Sequence, residues 1–271
     1  MGGVITSSQN SRLKLVRALM GRPKERREAD AFVAEGVRLV EEALMAGWPF
    51  KFVLYDETLS ERGLAQVESL KLRQVDCEMV SSILMKTLSE TETPPGILAV
   101  LRSIHLPIPN FPNFLLIPDQ IRDPGNLGTL IRSAAAAGVQ AVLLPPETTD
   151  AFAPKVVRAG MGAHFRLPIV SMMWEEIEQV RKSAGLQVCL GDMDGQSCWE
   201  TDLRAPLVLI VGSEAEGASE KARKLATQKI SIPMSGKVES LNAGTAGSVL
   251  MFEVMRQRSN IRTLKRFNEA I

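Results

Sequence analysis

FLLIPDQIRDPGNLGTLIRSAAAAG, residues 114–138, carries strand, turn and helix signals in a single run. FLLIPDQ (114–120) is an apolar run too short for a helix and suited to a buried strand. LGTLIRSAAAAG (127–138) has helical spacing and ends on a glycine suited to a left-handed C-cap. The turn between them is rich in Asp, Pro, Gly and Asn. Asn126 falls at the expected helix start, where its side chain can accept an orphan backbone N–H. Arg132 lies two turns inside, where an apolar face should begin. Turn chemistry accounts for Gly125, Gly128 and Asn126, but not for Arg132.

The same alternation continues toward the C-terminus. VQAVLL (139–144), LQVCLGDM (186–193), PLVLIVGSE (206–214) and KISIPM (229–234) read as strands. PKVVRAGMGA (154–163), WEEIEQVRKSAG (174–185), ASEKARKLA (218–226) and the Gly/Ala-rich SLNAGTAGSVLMFEVMRQR (240–258) read as helices. Near-continuously apolar strands alternating with helices imply a parallel sheet covered on both faces. Upstream, helical apolar spacing spans 13–20 and 32–45, and further helices are expected at 64–72 and 80–90, the last starting near Ser81 or Ser82. FVLYD (52–56) and GILAVLR (96–102) are short strands. HLPIPNFPNF (105–114) has three prolines in ten residues, which suit neither a helix nor a sheet interior. The expected organisation is a small N-terminal α/β domain over 1–104, a linker at 105–112 and a larger α/β domain over 113–271.

Lys and Arg total 32 against 31 Asp and Glu, a net charge of +1, so overall charge does not announce a nucleic-acid partner. The distribution says more. RLKLVRALMGRPKERR (12–27) has seven basic residues and the single acid Glu25, and RQRSNIRTLKR (256–266) has five basic residues and no acid. Such clusters are either solvated helix faces or the footprint that phosphate backbones attract. Two of them on a neutral chain favour RNA or DNA. Cys77, Cys189 and Cys198 have no tight spacing and only His105 and His164 are present, so neither a disulfide framework nor a metal site is expected. No apolar run reaches the ~18 residues that span a bilayer, and MGGVITSSQNSRLK lacks a signal-peptide core. A soluble, cytoplasmic chain with no membrane partner is expected.

In an open parallel sheet, ligands sit beyond the carboxyl ends of the strands. Three strand ends here carry small-and-polar turns: IRDPGNLG (121–128), VGSEAEGAS (211–219) and IPMSGKVESLNAGTA (232–246). Each has a plain reading. Gly212-Ser213-Glu214 can be a strand-to-helix turn with its acid near a helix N-terminus. Ser240 and Asn242 can cap the last helix, whose Gly244, Ala246 and Gly247 allow a second helix to pack closely. Three such turns in one sheet ask for more. The dinucleotide, P-loop and nucleophile-elbow motifs are absent, and no Cys–His pair has a suggestive context.

Together the three turns resemble the motifs of the SpoU (TrmH-like) family, RNA ribose 2′-O-methyltransferases of the SPOUT class. The first motif matches at Asn126, Gly128 and Arg132, and the second at Gly212, Glu214 and Gly217. The third matches at Ile232, Pro233 and Met234 and then, past a short loop, at Ser240, Leu241 and Asn242. The resemblance covers about 112–258. It implies an α/β SPOUT domain with a parallel sheet and a C-terminal trefoil knot, where topology rules alone would give a plain doubly wound sheet. It also implies S-adenosyl-L-methionine bound in the knot and a homodimer with the active site near the subunit interface. By position it assigns Gly212, Ile232 and Leu241 to the adenosine part of the cofactor, with Met234 and Ser240 beside them. Arg132 becomes the key catalytic residue, oriented by Asn126 and Glu214, with Asn242 completing the pocket. The small residues of the last helix are assigned to dimer packing. SSQNSRLKLVRAL and FVAEGVRLVEEAL resemble the opening of the family's accessory domain, similar to RNA-binding ribosomal proteins of the large subunit, whose role is to hold RNA.

Methyl transfer needs a ribose 2′-OH in line with the sulfonium methyl, and alignment supplies much of the rate. A guanidinium is a poor base in water. Arg132 is therefore better described as binding the neighbouring phosphate and stabilising the developing alkoxide. An accessory domain and basic clusters at both ends suit a large structured RNA, 23S rRNA ahead of a tRNA. Two other classes stay open: a non-catalytic RNA-binding ribosome assembly factor, and an enzyme on a different nucleotide-containing substrate. The polar residues at Asn126, Arg132, Glu214 and Asn242 count against the first.

Overall fold

The computed structural model describes residues 4–214, 216–236 and 240–268. In chain order the elements begin with α1 (Ser11–Gly21), α2 (Pro23–Ala29), β1 (Ala31–Glu35), α3 (Val37–Met45) and β2 (Phe50–Tyr55). Next come α4 (Glu61–Leu72), β3 (Cys77–Met79), α5 (Ser82–Lys86), β4 (Ile97–Arg102), β5 (Phe114–Pro118), α6 (Pro124–Ala137) and β6 (Ala141–Leu144). The chain ends with α7 (Pro154–Gly160), β7 (Ile169–Ser171), α8 (Trp174–Ser183), β8 (Gln187–Ser197), β9 (Leu207–Val211), α9 (Glu220–Leu225), β10 (Gln228–Ser231) and α10 (Ala243–Asn268). Among the described residues no helix is long and apolar enough to cross a membrane.

The chain forms two compact units. The first runs to Ile104 and takes in Asp150–Phe165. Its four-stranded sheet has the order β1-β4-β2-β3, with β4 antiparallel to β1 and β2, and β3 parallel to β2. The helical spacing expected over 32–45 holds only from Val37. The five residues AFVAE form a strand instead, all buried, and Gly36 at φ 106° separates it from α3. A strand apolar on both faces has no period to tell it from a buried helix. The core sets Leu13, Val16 and Leu19 of α1 against Val33, Leu54, Leu98 and Val100 of the sheet.

The segment 150–165, expected to belong with 113–271, packs into this first unit because its aromatic and charged side chains find partners there. Phe152 lies 5.0 Å from the Phe32 ring and Phe165 5.3 Å from Trp48. Arg158 pairs with buried Glu35 at 3.1 Å, and Asp150 with buried Arg26 at 2.7 Å. Arg12 is likewise held, by Asp76 and Glu78 and over the Phe52 ring. Two of the seven basic residues of 12–27 are therefore internal fasteners, whereas Lys14, Arg22 and Arg27 are exposed.

His164 is buried in the same segment, and its Nε2–H donates to Ala151 O at 2.8 Å. Gly160 makes the room, since a Cβ there would stand 2.5 Å from the imidazole. Burial pushes the His164 pKa down from 6.5 to about 4. Between those values the unfolded chain takes up a proton that the folded chain refuses, so stability falls as pH drops. From pH 7 to pH 5 this group should remove about 2 kcal/mol of unfolding free energy. Urea unfolding at both pH values checks this, and His164→Asn should flatten the difference.

The second unit comprises His105–Thr149 and Arg166–Ile271. Its six strands are all parallel in the order β10-β8-β9-β5-β6-β7, the sheet expected from the alternating pattern. Leu115, Ile117, Leu143, Leu190, Val208 and Ile210 pack on one side against Trp174 and Ile177 of α8. Helix α6 begins at Pro124, and its cap is Asp123, whose carboxylate accepts the Asn126 N–H at 2.8 Å. Asn126 is thus not the N-cap, and its side chain is released for other use. Gly138 at φ 79° is the left-handed C-cap, as expected. The small residues of α10 face α6 within the chain: a Cβ on Gly244 would stand 3.2 Å from Thr129, and one on Gly247 2.3 Å from Leu130. Ser133 and Ser248 hydrogen-bond across this contact at 2.7 Å. The dimer role that the resemblance implied for Gly244 and Gly247 is therefore reassigned to close helix packing inside one chain. In the C-terminal basic cluster Arg256 pairs with Glu253, and Arg258 donates to Asn113 O and Ala205 O. The side chains of Arg262, Lys265 and Arg266 lie outside the described residues.

Candidate active site

The parallel sheet brings the carboxyl ends of β5, β9 and β10 to one edge, and the three polar turns follow those ends. β5 leads through the Asp123 cap into α6, which places Asn126 in its first turn. β9 leads into a narrow loop in which Ser213 and Gly217 exchange backbone hydrogen bonds of 2.9 and 3.1 Å, with Glu214 in the turn. The segment after β10 returns to Asn242, whose Oδ1 accepts the Thr245 N–H at 3.1 Å and so caps α10.

Three side chains from these three turns meet. Glu214 Oε1 accepts from Asn126 Nδ2 at 2.8 Å, from Asn242 Nδ2 at 2.5 Å and from Ala243 N at 2.9 Å. Asn242 Nδ2 also donates to Asn126 Oδ1 at 2.8 Å. The network fixes both amide orientations, because each nitrogen faces an acceptor. One carboxylate oxygen thus gathers residues 116 positions apart in sequence, while Glu214 Oε2 has no partner among the described residues.

Arg132 stands apart from this cluster. It is exposed on α6 and makes no hydrogen bond or ion pair with the described residues. Six residues turn a helix through about 600°, which leaves Asn126 and Arg132 about 120° apart around the axis and about 9 Å apart along it. The expectation that Asn126 and Glu214 orient Arg132 is not met within one chain; those two residues orient each other and Asn242.

The five residues assigned to the cofactor lie on the loops leaving β9 and β10. Gly212, Ile232 and Leu241 are half-buried, and Met234 and Ser240 are exposed. Among the described residues the backbone groups of Gly212, Ile232 and Leu241 make no hydrogen bond. Free backbone donors and acceptors beside partly open apolar side chains suit an adenosine ring, so these residues fit S-adenosylmethionine. Residues 237–239, inside the third turn, lie outside the described ones. Asp119, the residue after β5, went unnoticed in the sequence; an acid ending an apolar strand was the available signal.

Comparison with known proteins finds relatives along nearly the whole chain. Residues 10–99 match the MRM3-like substrate binding domain. The 23S rRNA (uridine(2479)-2′-O)-methyltransferase of Streptomyces viridochromogenes is 33% identical over 280 residues, spanning 95% of this chain and 93% of that protein. The 23S rRNA (guanosine(2553)-2′-O)-methyltransferase RlmP of Bacillus subtilis (strain 168) is 33% identical over 252 residues, 92% of this chain and 98% of the relative. A solved AdoMet-bound rRNA methyltransferase from Sinorhizobium meliloti superposes with a TM-score of 0.82 at 31% identity, covering 94% of this chain and 97% of that one. Residues 113–252, more than half of the chain, match the SpoU rRNA methylase family, and the chain belongs to it.

Proposed function

We propose that this chain is an S-adenosylmethionine-dependent RNA ribose 2′-O-methyltransferase acting on 23S rRNA. The observation that carries this reading is the shared hydrogen-bond acceptor, Glu214 Oε1, which locks the three family motifs into one site. Two relatives named as 23S rRNA 2′-O-methyltransferases, each aligned over more than nine-tenths of this chain, support the substrate.

When bound, S-adenosylmethionine supplies an electrophilic methyl group. Gly212, Ile232 and Leu241 hold its adenosine part with Met234 and Ser240 alongside, in the C-terminal trefoil knot of the proposed fold. Asn126, Glu214 and Asn242 hold the three turns together in one geometry. Arg132 binds the phosphate next to the target ribose and stabilises negative charge developing on the 2′-oxygen, the kind of electrostatic help that is strongest when already in place. The first unit and the exposed Lys14, Arg22 and Arg27 hold the surrounding RNA.

The proposed assembly is a homodimer. Phe252 and Met255 of α10 are 44% and 39% exposed, and Met255 lines a cavity of about 450 Å³ with Ala136 of α6. Such apolar residues suit the centre of an interface. The proposed compartment is the cytoplasm.

Purified protein incubated with labelled S-adenosylmethionine should methylate 23S rRNA at one ribose, mapped as 2′-O-methylation and missing from cells without the gene. Label in tRNA instead would move the substrate to tRNA. No cofactor binding by calorimetry would make the chain an assembly factor.

A further inference from the structure

Asp119 follows β5 directly and is fully buried. Its backbone N–H donates to Val211 O, at the end of β9, at 2.8 Å. Its side-chain Oδ2 accepts the Ser219 N–H at 2.6 Å. The chain leaves β9 at Val211 and next meets regular structure at Ser219, the cap of α9. Both ends of that excursion are therefore fastened to one residue. Its described residues are closely held: Ser213 and Gly217 are bonded to each other, and a Cβ on Gly212 would stand 2.6 Å from Ala218 N. Glu214 sits at its turn. The strand that ends at Asp119 also leads into α6, which carries Asn126. One buried side chain thus sets the offset between the first motif and the second.

The carboxylate is not there for stability. Its Oδ1 is buried with no partner among the described residues. A buried acid with one oxygen left unmatched costs more than an apolar residue of the same shape. Burial also pushes its pKa up.

We infer that Asp119 is a positioning residue for methyl transfer, clamping the loop of 212–218 so that Glu214 meets Asn126 and Asn242. The inference rests on the catalytic reading proposed above. What the clamp needs is an acceptor oxygen, so Asp119→Asn should preserve it and Asp119→Ala should lose it.

Turnover at saturating RNA and S-adenosylmethionine is compared for wild type, Asp119→Asn, Asp119→Ala, Glu214→Ala and the double variant Asp119→Ala/Glu214→Ala. Backbone amide exchange of residues 212–219 is measured on the same proteins without ligands. Asp119→Ala should lose about 10- to 100-fold in turnover, the scale of a small misplacement of catalytic groups. Exchange should quicken in 212–219, Asp119→Asn should stay near wild type in both readouts, and the double variant should be no slower than Glu214→Ala. Asp119→Leu, close to aspartate in shape, replaces the alanine variant if that one unfolds. Equal losses in Asp119→Asn and Asp119→Ala, or losses that multiply in the double variant, overturn the inference. A wild-type protein that methylates no RNA overturns the catalytic reading, and exchange then reports separately whether the clamp exists.

Discussion

Arg132→Ala is expected to slow methyl transfer about 10²- to 10³-fold, the usual cost of removing one stabiliser of developing negative charge. S-adenosylmethionine affinity and the melting midpoint should barely move. The side chain is exposed and unpaired among the described residues, so its removal opens no cavity and orphans no buried group. Among the described residues, none of those assigned to the cofactor hydrogen-bonds to it. Arg132→Lys should recover only part of the rate, because an ammonium keeps the charge but loses the planar fork that fits phosphate. Single-turnover kinetics with saturating cofactor, beside calorimetric titration, separates the two effects. A variant that turns over normally would remove Arg132 from the chemistry, and one that loses cofactor binding in proportion to rate would move it to the cofactor site.

The C-terminal sheet was legible because its strands are apolar on both faces and are punctuated by turn residues, so 114–144 and 206–214 announced themselves. The same property misled at 32–45, where AFVAE has no period of its own and merged with the helix that follows. Three site residues could be picked from sequence because Asn126, Glu214 and Asn242 stand in three polar turns that together resemble the family's motifs. What spacing does not encode is which polar atom satisfies which. Asp123 takes the cap of α6, freeing Asn126, whereas Asn242 both caps α10 and joins the cluster. The return of 150–165 to the first unit was hidden for a similar reason: Phe152, Arg158 and Phe165 look ordinary until their partners Phe32, Glu35 and Trp48, over a hundred positions away, are placed beside them. Arg132 is the reverse case, singled out in the sequence yet left without a partner in the folded chain.

Glu214→Ala should lower turnover about 100-fold, more than the exposure of Glu214 alone would lead one to expect. The carboxylate oxygen that goes is the common acceptor for Asn126 Nδ2, Asn242 Nδ2 and Ala243 N. Hydrogen bonds to a charged group contribute about 1.5–3 kcal/mol when shielded, and less in an open site such as this. Global stability should therefore change little, while the second turn loses its tie to the first and third, which keep only the Asn242–Asn126 hydrogen bond. Glu214→Gln keeps an acceptor oxygen and should fall between wild type and alanine. The decisive measurement is a double-mutant cycle with Asn242→Ala, read as turnover under saturating substrates. Residues acting through one network are non-additive, so the second substitution should cost about threefold or less once Glu214 is gone. Independent, multiplying losses would mean that the two side chains serve separate steps and that the shared oxygen is only a packing contact.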